Sequence, residues 1–375
     1  MGTETRDGGR TTTVLLCGDV MLGRGIDQIL RHPGDPALVE ASVRDARRYV
    51  HLAELATGAI PRPVADGWPW GEALAEVAHA RPAVLVVNVE TSITRASEFA
   101  PGKAVHYRMN PANLPCLLAV GPDVCVLANN HILDFGRSGL EETLRTLEAA
   151  GVTTAGAGRD EREAFAPAVV ETEGGTRVAV FGYCDSSSGV PRDWAAVDGR
   201  SGVALLPDLS DRTADEVGAR AHEEKRRGSV VVVSLHWGSN WGFGVPKAQT
   251  RFARRLVEAG TDIVHGHSSH HPRPVEVYHG RFVAYGCGDF VNDYEGIGGY
   301  EEYHDELRVL YRLTVGPDGA LAAADLVPFR SRRLRLERAD PERVDWLQAT
   351  LDRESRAYGV RVARVSEDRL SLGWR

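Results

Sequence analysis

Short apolar runs that stop abruptly at a polar residue recur along the chain, and they constrain the fold more than any other feature. The first is "TVLLCGD", ending at Asp19. "AVLVVNVE" ends at Glu90, "DVCVLANNH" at His131, "TRVAVFGYCD" at Asp185, "SVVVVSLHWG" just beyond His236, "DIVHGHSSHH" in a histidine cluster, and "RFVAYGCGDF" just beyond Asp289. Each is short and rich in β-branched residues, as a buried strand feeding a loop would be. Apolar residues at helical spacing lie between several of them, over 139–150, 214–227 and 247–259. Strands alternating with helices predict a layered α/β domain, in which ligands gather outside the carboxyl ends of the strands. Later in the chain "EVYHGRFVAY" reads as a hairpin turning at His279-Gly280, and "ELRVLYRLTVGPDGALAAADLVPF" as a second strand pair around Pro317-Asp318-Gly319.

At 375 residues and 43% hydrophobic composition the chain can bury a full core, and with no low-complexity linker it reads as one domain. A formal net charge of −8 argues against a nucleic-acid partner. The five cysteines are odd in number and form no C-x-x-C pair, so they read as reduced core residues of a cytoplasmic protein. The polar start "MGTETRDGGRTTT" has no signal-peptide core, Arg6 stands where a myristoylation signal wants Ser or Thr, and no apolar stretch approaches a membrane span. No membrane partner is expected. Residues 184–202, rich in Ser, Gly and Asp, read as a mobile loop over the site.

Five motifs follow strand-like runs: "GDVMLGR", "NVET", "ANNHILDFG", "LHWGSNW" and "GHSSHHP". They bring Asp19, Glu90, Asn130, His131, His236, His267 and His270 to one predicted sheet edge. Carboxylate, amide and imidazole groups converging there suit a divalent metal ion, with no organic cofactor required. Histidine titrates near neutral pH, and a carboxylate on its second nitrogen fixes its tautomer and raises its basicity. His131 with Asp134, and His267 with Asp19 or Asp289, are the expected acid/base pairs. Two such pairs on opposite sides of a bound group could remove and return a proton. Trp237, Trp241, Arg24 and Arg273 lie within the same motifs and are the expected substrate contacts.

In these motifs, and in "VHGHSSHHPRPVEVYHGRFVAYGCGDFVNDYEG", the chain resembles the CapA family of poly-γ-glutamate capsule synthesis proteins from about Thr13 to Leu326. The resemblance implies a layered β-sandwich flanked by helices, similar to calcineurin-like metallophosphoesterases. It also implies metal ligands at Asp19, Glu90, Asn130, His236, His267 and His270. Met21 stands where the phosphoesterase pattern has a metal-binding histidine, Glu90 replaces a bridging aspartate, and the last motif carries one additional residue between its histidines. These departures imply a hard cation, Ca²⁺, Mg²⁺ or Mn²⁺, ahead of Zn²⁺. Residues 1–12 are expected as a tail, 13–330 as the CapA-like domain, and 331–375 as a helical extension packed on it. Typical CapA relatives carry a membrane segment. Its absence here implies a cytoplasmic branch similar to the lasso-peptide epimerases, which invert an α-carbon in a ribosomal precursor peptide. The alternatives are a metal-dependent hydrolase of phosphoester or γ-glutamyl bonds, and a non-catalytic capsule-polymer assembly subunit.

Overall fold

The computed structural model describes residues 11–80 and 84–375. Most of the expected tail therefore lies outside the described residues, although Thr12 already belongs to the first strand, Thr12–Val20. Two large sheets dominate. Across the first, the strands run Val360–Ser366, Arg369–Trp374, Leu321–Ser331, Leu307–Val315, Thr12–Val20, Val84–Val89, Val124–Val126 and Thr153–Ala155. The last four are mutually parallel, and the later strands add antiparallel. The second sheet runs Val275–Tyr278, Arg281–Ala284, Ile263–His267, Val230–His236, Arg177–Cys184 and Ala168–Glu171. Its four central strands are parallel.

The two-residue period of each strand divides its apolar side chains between two cores. Val14, Leu16, Val84, Val86, Val124 and Val126 meet Val178, Val180, Val230, Val232, Ile263 and Phe282 in the core between the sheets. Their neighbours Leu15, Cys17, Leu85, Val87 and Cys125 face the opposite way, toward helices that include Gly136–Ala149. Val231, Val233, Leu235 and Val264 likewise pack under the helices Asp211–Arg226 and Lys247–Glu258. The chain thus forms the expected α/β sandwich flanked by helices. Such two-sided burial explains why the runs read as continuously apolar.

The hairpin at His279-Gly280 forms as its sequence predicts, with φ of 49° and 73° at the two turn residues. The expectation for 331–375 needs correction. A helix, Pro341–Ser355, is present, but "VRVARVS" and "RLSLGW" alternate apolar and polar residues and form a hairpin paired to Leu321–Ser331. Val360, Val362, Leu370 and Leu372 join the core between the sheets.

Candidate metal and acid-base site

The carboxyl ends of the parallel strands from both sheets meet at one rim. On the second sheet, Val232 and Ile263 point between the sheets, so Ser234, His236, His265 and His267 follow them inward at the period of two. His236 and His267 are direct partners in the ladder. On the first sheet the same count would send Asp19 outward with Leu15 and Cys17. A bulge intervenes: Leu16 pairs with Val86 but Asp19 pairs with Asn88, so one extra residue turns Asp19 to the inward set. Asn88 then donates to Asp19 Oδ1 at 2.5 Å, and the backbone N–H of Ser268 donates to Oδ2 at 2.9 Å.

One oxygen or nitrogen from each of Asp19, His236 and His267 lies within 4.8 Å of the others. Hydrogen bonding fixes which nitrogen of each ring is free. The carbonyl oxygen of Cys17 can only accept, so His265 Nε2, 2.9 Å away, carries a hydrogen. Burial lowers the pKa of His265 to about 4, so the ring is neutral and its Nδ1 accepts from the Ser234 hydroxyl at 3.0 Å. Ser234 Oγ in turn accepts from His267 Nε2 at 2.8 Å. His236 Nε2 donates to Asn130 Oδ1 at 3.1 Å. Burial holds His236 and His267 well below the ordinary histidine range, leaving both rings neutral. Their unprotonated Nδ1 atoms therefore face each other at 2.8 Å, with Asp19 Oδ1 at 3.8 Å and 3.5 Å.

Three carboxylates crowd the same place. Asp19 is raised to about 7 by burial, then by Asp289; Glu90 is raised well above the usual range by burial, then by Asp19 and Asp289. Glu90 Oε1 lies 3.7 Å from His236 and 3.8 Å from His131, while its buried Oε2 has no hydrogen-bond partner among the described residues. Buried negative charge without a counter-ion is costly, and two lone pairs facing one another are repulsive. A cation would relieve both. The donor set therefore fits a divalent metal held by Asp19, His236 and His267, with Glu90 beside it.

Two imidazole–carboxylate pairs border this cluster. His131 Nδ1 donates to Asp134 Oδ2 at 2.6 Å, leaving Nε2 as the free base on the Glu90 side. Lys103 donates to the other Asp134 oxygen at 2.5 Å, and the Tyr107 ring packs edge-on at 4.7 Å from His131. Burial lowers the pKa of His131 to about 4, against the pull of Asp134. The second pair is His270 Nδ1 with Asp289 Oδ1 at 3.0 Å. Burial opposes charging His270, but the Asp289 carboxylate outweighs it and raises its pKa.

Several expected roles change. His267, expected as an acid/base group with Asp19 or Asp289, is wholly buried, and its Nε2 is spent on Ser234; Asp289 pairs with His270 instead. His270, expected as a ligand, sits in that pair and also contacts Asn240. Asn130 fixes His236 through its side-chain oxygen. Arg24 is buried with its fork closed on Asp293, at 2.8 and 2.5 Å, and on Glu40 at 3.1 Å, so its donors are not free for substrate. Trp237 is a core residue whose indole N–H donates to Tyr285 O at 3.1 Å. Arg273, also buried, holds the loop carrying Trp241 through Ser239 O and Oγ. Trp241 alone of these four keeps a part-exposed face toward the site, stacked on Tyr300 at 3.9 Å and 5.3 Å from His270. The segment expected as a loop over the site touches it: Ser188 Oγ donates to His236 O and Ser187 Oγ accepts from Gly238 N. Asn88, Ser234 and Lys103 were not expected. The first two carry a signal, each being polar inside an otherwise apolar strand run.

The model of the bacterial capsule synthesis protein family, PGA_cap, matches residues 13–294, well over half of the chain. The chain belongs to this family. The probable polyglutamine synthesis accessory protein of Mycobacterium tuberculosis (strain ATCC 25618 / H37Rv) is 50% identical over 362 residues, covering 96% of this chain and 95% of that protein. The capsule biosynthesis protein CapA of Bacillus anthracis is 24% identical over 317 residues, 84% of this chain and 67% of its own length. The PGA biosynthesis protein CapA of Bacillus subtilis is 29% identical over 227 residues, 60% and 56% of the two chains. These PGA_cap relatives are named for polymer and capsule synthesis, and the epimerase branch expected from the sequence has no counterpart among them. Among the described residues no helix is long and apolar enough to cross a membrane.

Proposed function

We propose that the chain is a metal-dependent hydrolase that cleaves amide bonds in a glutamyl polymer. The observation that carries this reading is the pair of unprotonated Nδ1 atoms of His236 and His267 facing each other over the Asp19 carboxylate. A divalent cation held there would supply Lewis acidity toward the scissile carbonyl.

The neighbouring residues divide the proton work. Two titratable groups whose surroundings push their pKa values apart can act as base and acid. His131, neutral and oriented by Asp134, takes a proton from the attacking water at Nε2 as the new C–O bond forms. His270, whose pKa Asp289 raises through Nδ1, gives a proton from Nε2 to the departing nitrogen as the C–N bond breaks, with the Asn240 amide turned so that its oxygen accepts from Nε2 before transfer. The glutamyl substrate is suggested by the resemblance to poly-γ-glutamate capsule synthesis proteins, by the Mycobacterium tuberculosis relative, which is named for polyglutamine synthesis, and by the arginines described below.

The two imidazole–carboxylate pairs also favour a second reading, the peptide epimerase, in which one pair removes an α-proton and the other returns one. One experiment separates the two. Oligomers of γ-linked and α-linked glutamate are incubated in D₂O with Mn²⁺, Mg²⁺ or Ca²⁺ and followed by mass spectrometry. The hydrolase gives shorter fragments that disappear with EDTA. Deuterium at an α-carbon of an uncleaved chain would replace it with the epimerase, and neither product under any cation would overturn both.

A further inference from the structure

A recess of about 210 Å³ opens beside His270, lined by Tyr49, Asn240, Trp241, Tyr294, Tyr300 and Asp305 among others. A second, of about 320 Å³, shares Tyr294, Ile297 and Asp305 with it and continues to Arg308, Arg330, Arg332 and Arg343. The groove therefore leads from the acid/base histidine to a group of arginines.

Arg308 is the unusual member. It is 1% exposed, yet its guanidinium donates only to neutral acceptors: Leu307 O at 3.0 Å, Asp305 O, and Asn292 Oδ1 at 2.8 Å. Its Nε has no partner, and among the described residues no carboxylate lies within ion-pair distance. A buried cation with no carboxylate in contact is unfavourable, and Asp289 and Asp305 attract it from beyond ion-pair distance. The other arginines share too few acids. Glu337 serves Arg330, Arg332 and Arg333 at 3.5, 3.8 and 3.5 Å, and Asp340 serves both Arg330 and Arg343. The acids that line the recess correct this only at Arg343, which Glu306 also pairs. Glu295 is spent on the backbone N–H groups of Arg333 and Leu334, Glu306 on Arg343 and His304, and Asp305 has no ion pair of its own among the described residues.

We propose that this recess is a subsite for carboxylate groups of an extended anionic chain, seated by Arg308 with Arg330 and Arg332, while a bond of the same chain lies at the metal site. Guanidinium forks match carboxylates in geometry as well as charge. A glutamyl polymer linked through its side chains presents one free carboxylate per residue at regular intervals, so it can fill both places at once. This inference rests on the hydrolase reading for the position of the cleaved bond, but binding alone tests it.

Calorimetry with γ-linked glutamate oligomers of two and six residues, and with the hexamer converted to its α-amides, reads the subsite without turnover. Wild type is expected to bind the hexamer on the order of tenfold or more tightly than the dimer, and to lose that gain for the amide form. Arg308→Gln and the exposed Arg332→Gln are each expected to remove most of the gain, with Arg332→Lys restoring part of it. Arg332→Gln keeps the test open should Arg308→Gln fail to fold. Equal binding of charged and amidated hexamers, or an unchanged length dependence in Arg332→Gln, would overturn the subsite. Cleavage with no length dependence sinks this inference and leaves the hydrolase; length-dependent binding without cleavage does the reverse.

Discussion

His131 and His270 have the same side chain and opposite surroundings, and their division of labour follows from that difference. Replacing His131 by Ala removes the base and should lower kcat about 10²–10⁴-fold while the melting temperature stays near wild type. His270 must be protonated to act as the acid. At saturating metal, the rate should therefore fall as pH rises through a value above the ordinary histidine pKa, and His270→Gln should be slower and lack this alkaline decline. The metal site carries its own pH signature. Asp19, raised to about 7, must lose a proton before it can ligate, so affinity for Mn²⁺ should be higher at pH 8 than at pH 6, with proton release on binding. Titrations in buffers of different ionisation enthalpy measure both quantities. Asp19, His131 and His236 were legible as site residues because each stands where an apolar run stops. That His267 keeps only its expected ligand role while His270 takes the acid/base one was not, since both lie in one short motif and only the strand end at His267 decides which ring is buried between the sheets.

At the scale of the element, the first strand holds the site together by an irregularity. Gly18 lies so close to the loop before Asp289 that a Cβ on it would stand 1.6 Å from Gly288 O. The backbone N–H of Asp19 donates to that same carbonyl at 3.1 Å. Gly18→Ala should cost about 3 kcal/mol or more in denaturant unfolding and displace Asp19 from its ligand position. The run "TVLLCGD" announced a buried strand, but a bulge of one residue has no signature in a pattern of uniformly apolar residues. The helices Gly136–Ala149, Asp211–Arg226 and Lys247–Glu258 were legible to within a few residues because their outer faces are polar and the 3.6-residue period shows, whereas Arg47–Thr57 and Ala73–Ala80 were not read. The C-terminal hairpin was missed although "VRVARVS" and "RLSLGW" alternate clearly, because its edge position on the first sheet depends on a partner, Leu321–Ser331, far earlier in sequence.

At the scale of the molecule, two sheets share one core and one functional rim. Histidines from the second sheet meet carboxylates from the first only while the sheets stay packed, so site and fold stand or fall together. A cation bridging the rim should raise the stability of the whole chain, by about 2.7 kcal/mol at a hundredfold excess over its Kd. Layered α/β architecture could be read from the alternation of strands and helices. Which side chains met across the two sheets could not, because it depends on long-range contacts that no local pattern encodes. The most direct test is Mn²⁺ binding by calorimetry on wild type and on Asp19→Asn, His236→Gln and His267→Gln, with folding checked by circular dichroism. The account expects a saturable site in the wild type and at least a hundredfold weaker binding in each folded variant. Wild-type affinity in any two of these variants, or no binding of any divalent cation by the wild type, would contradict it.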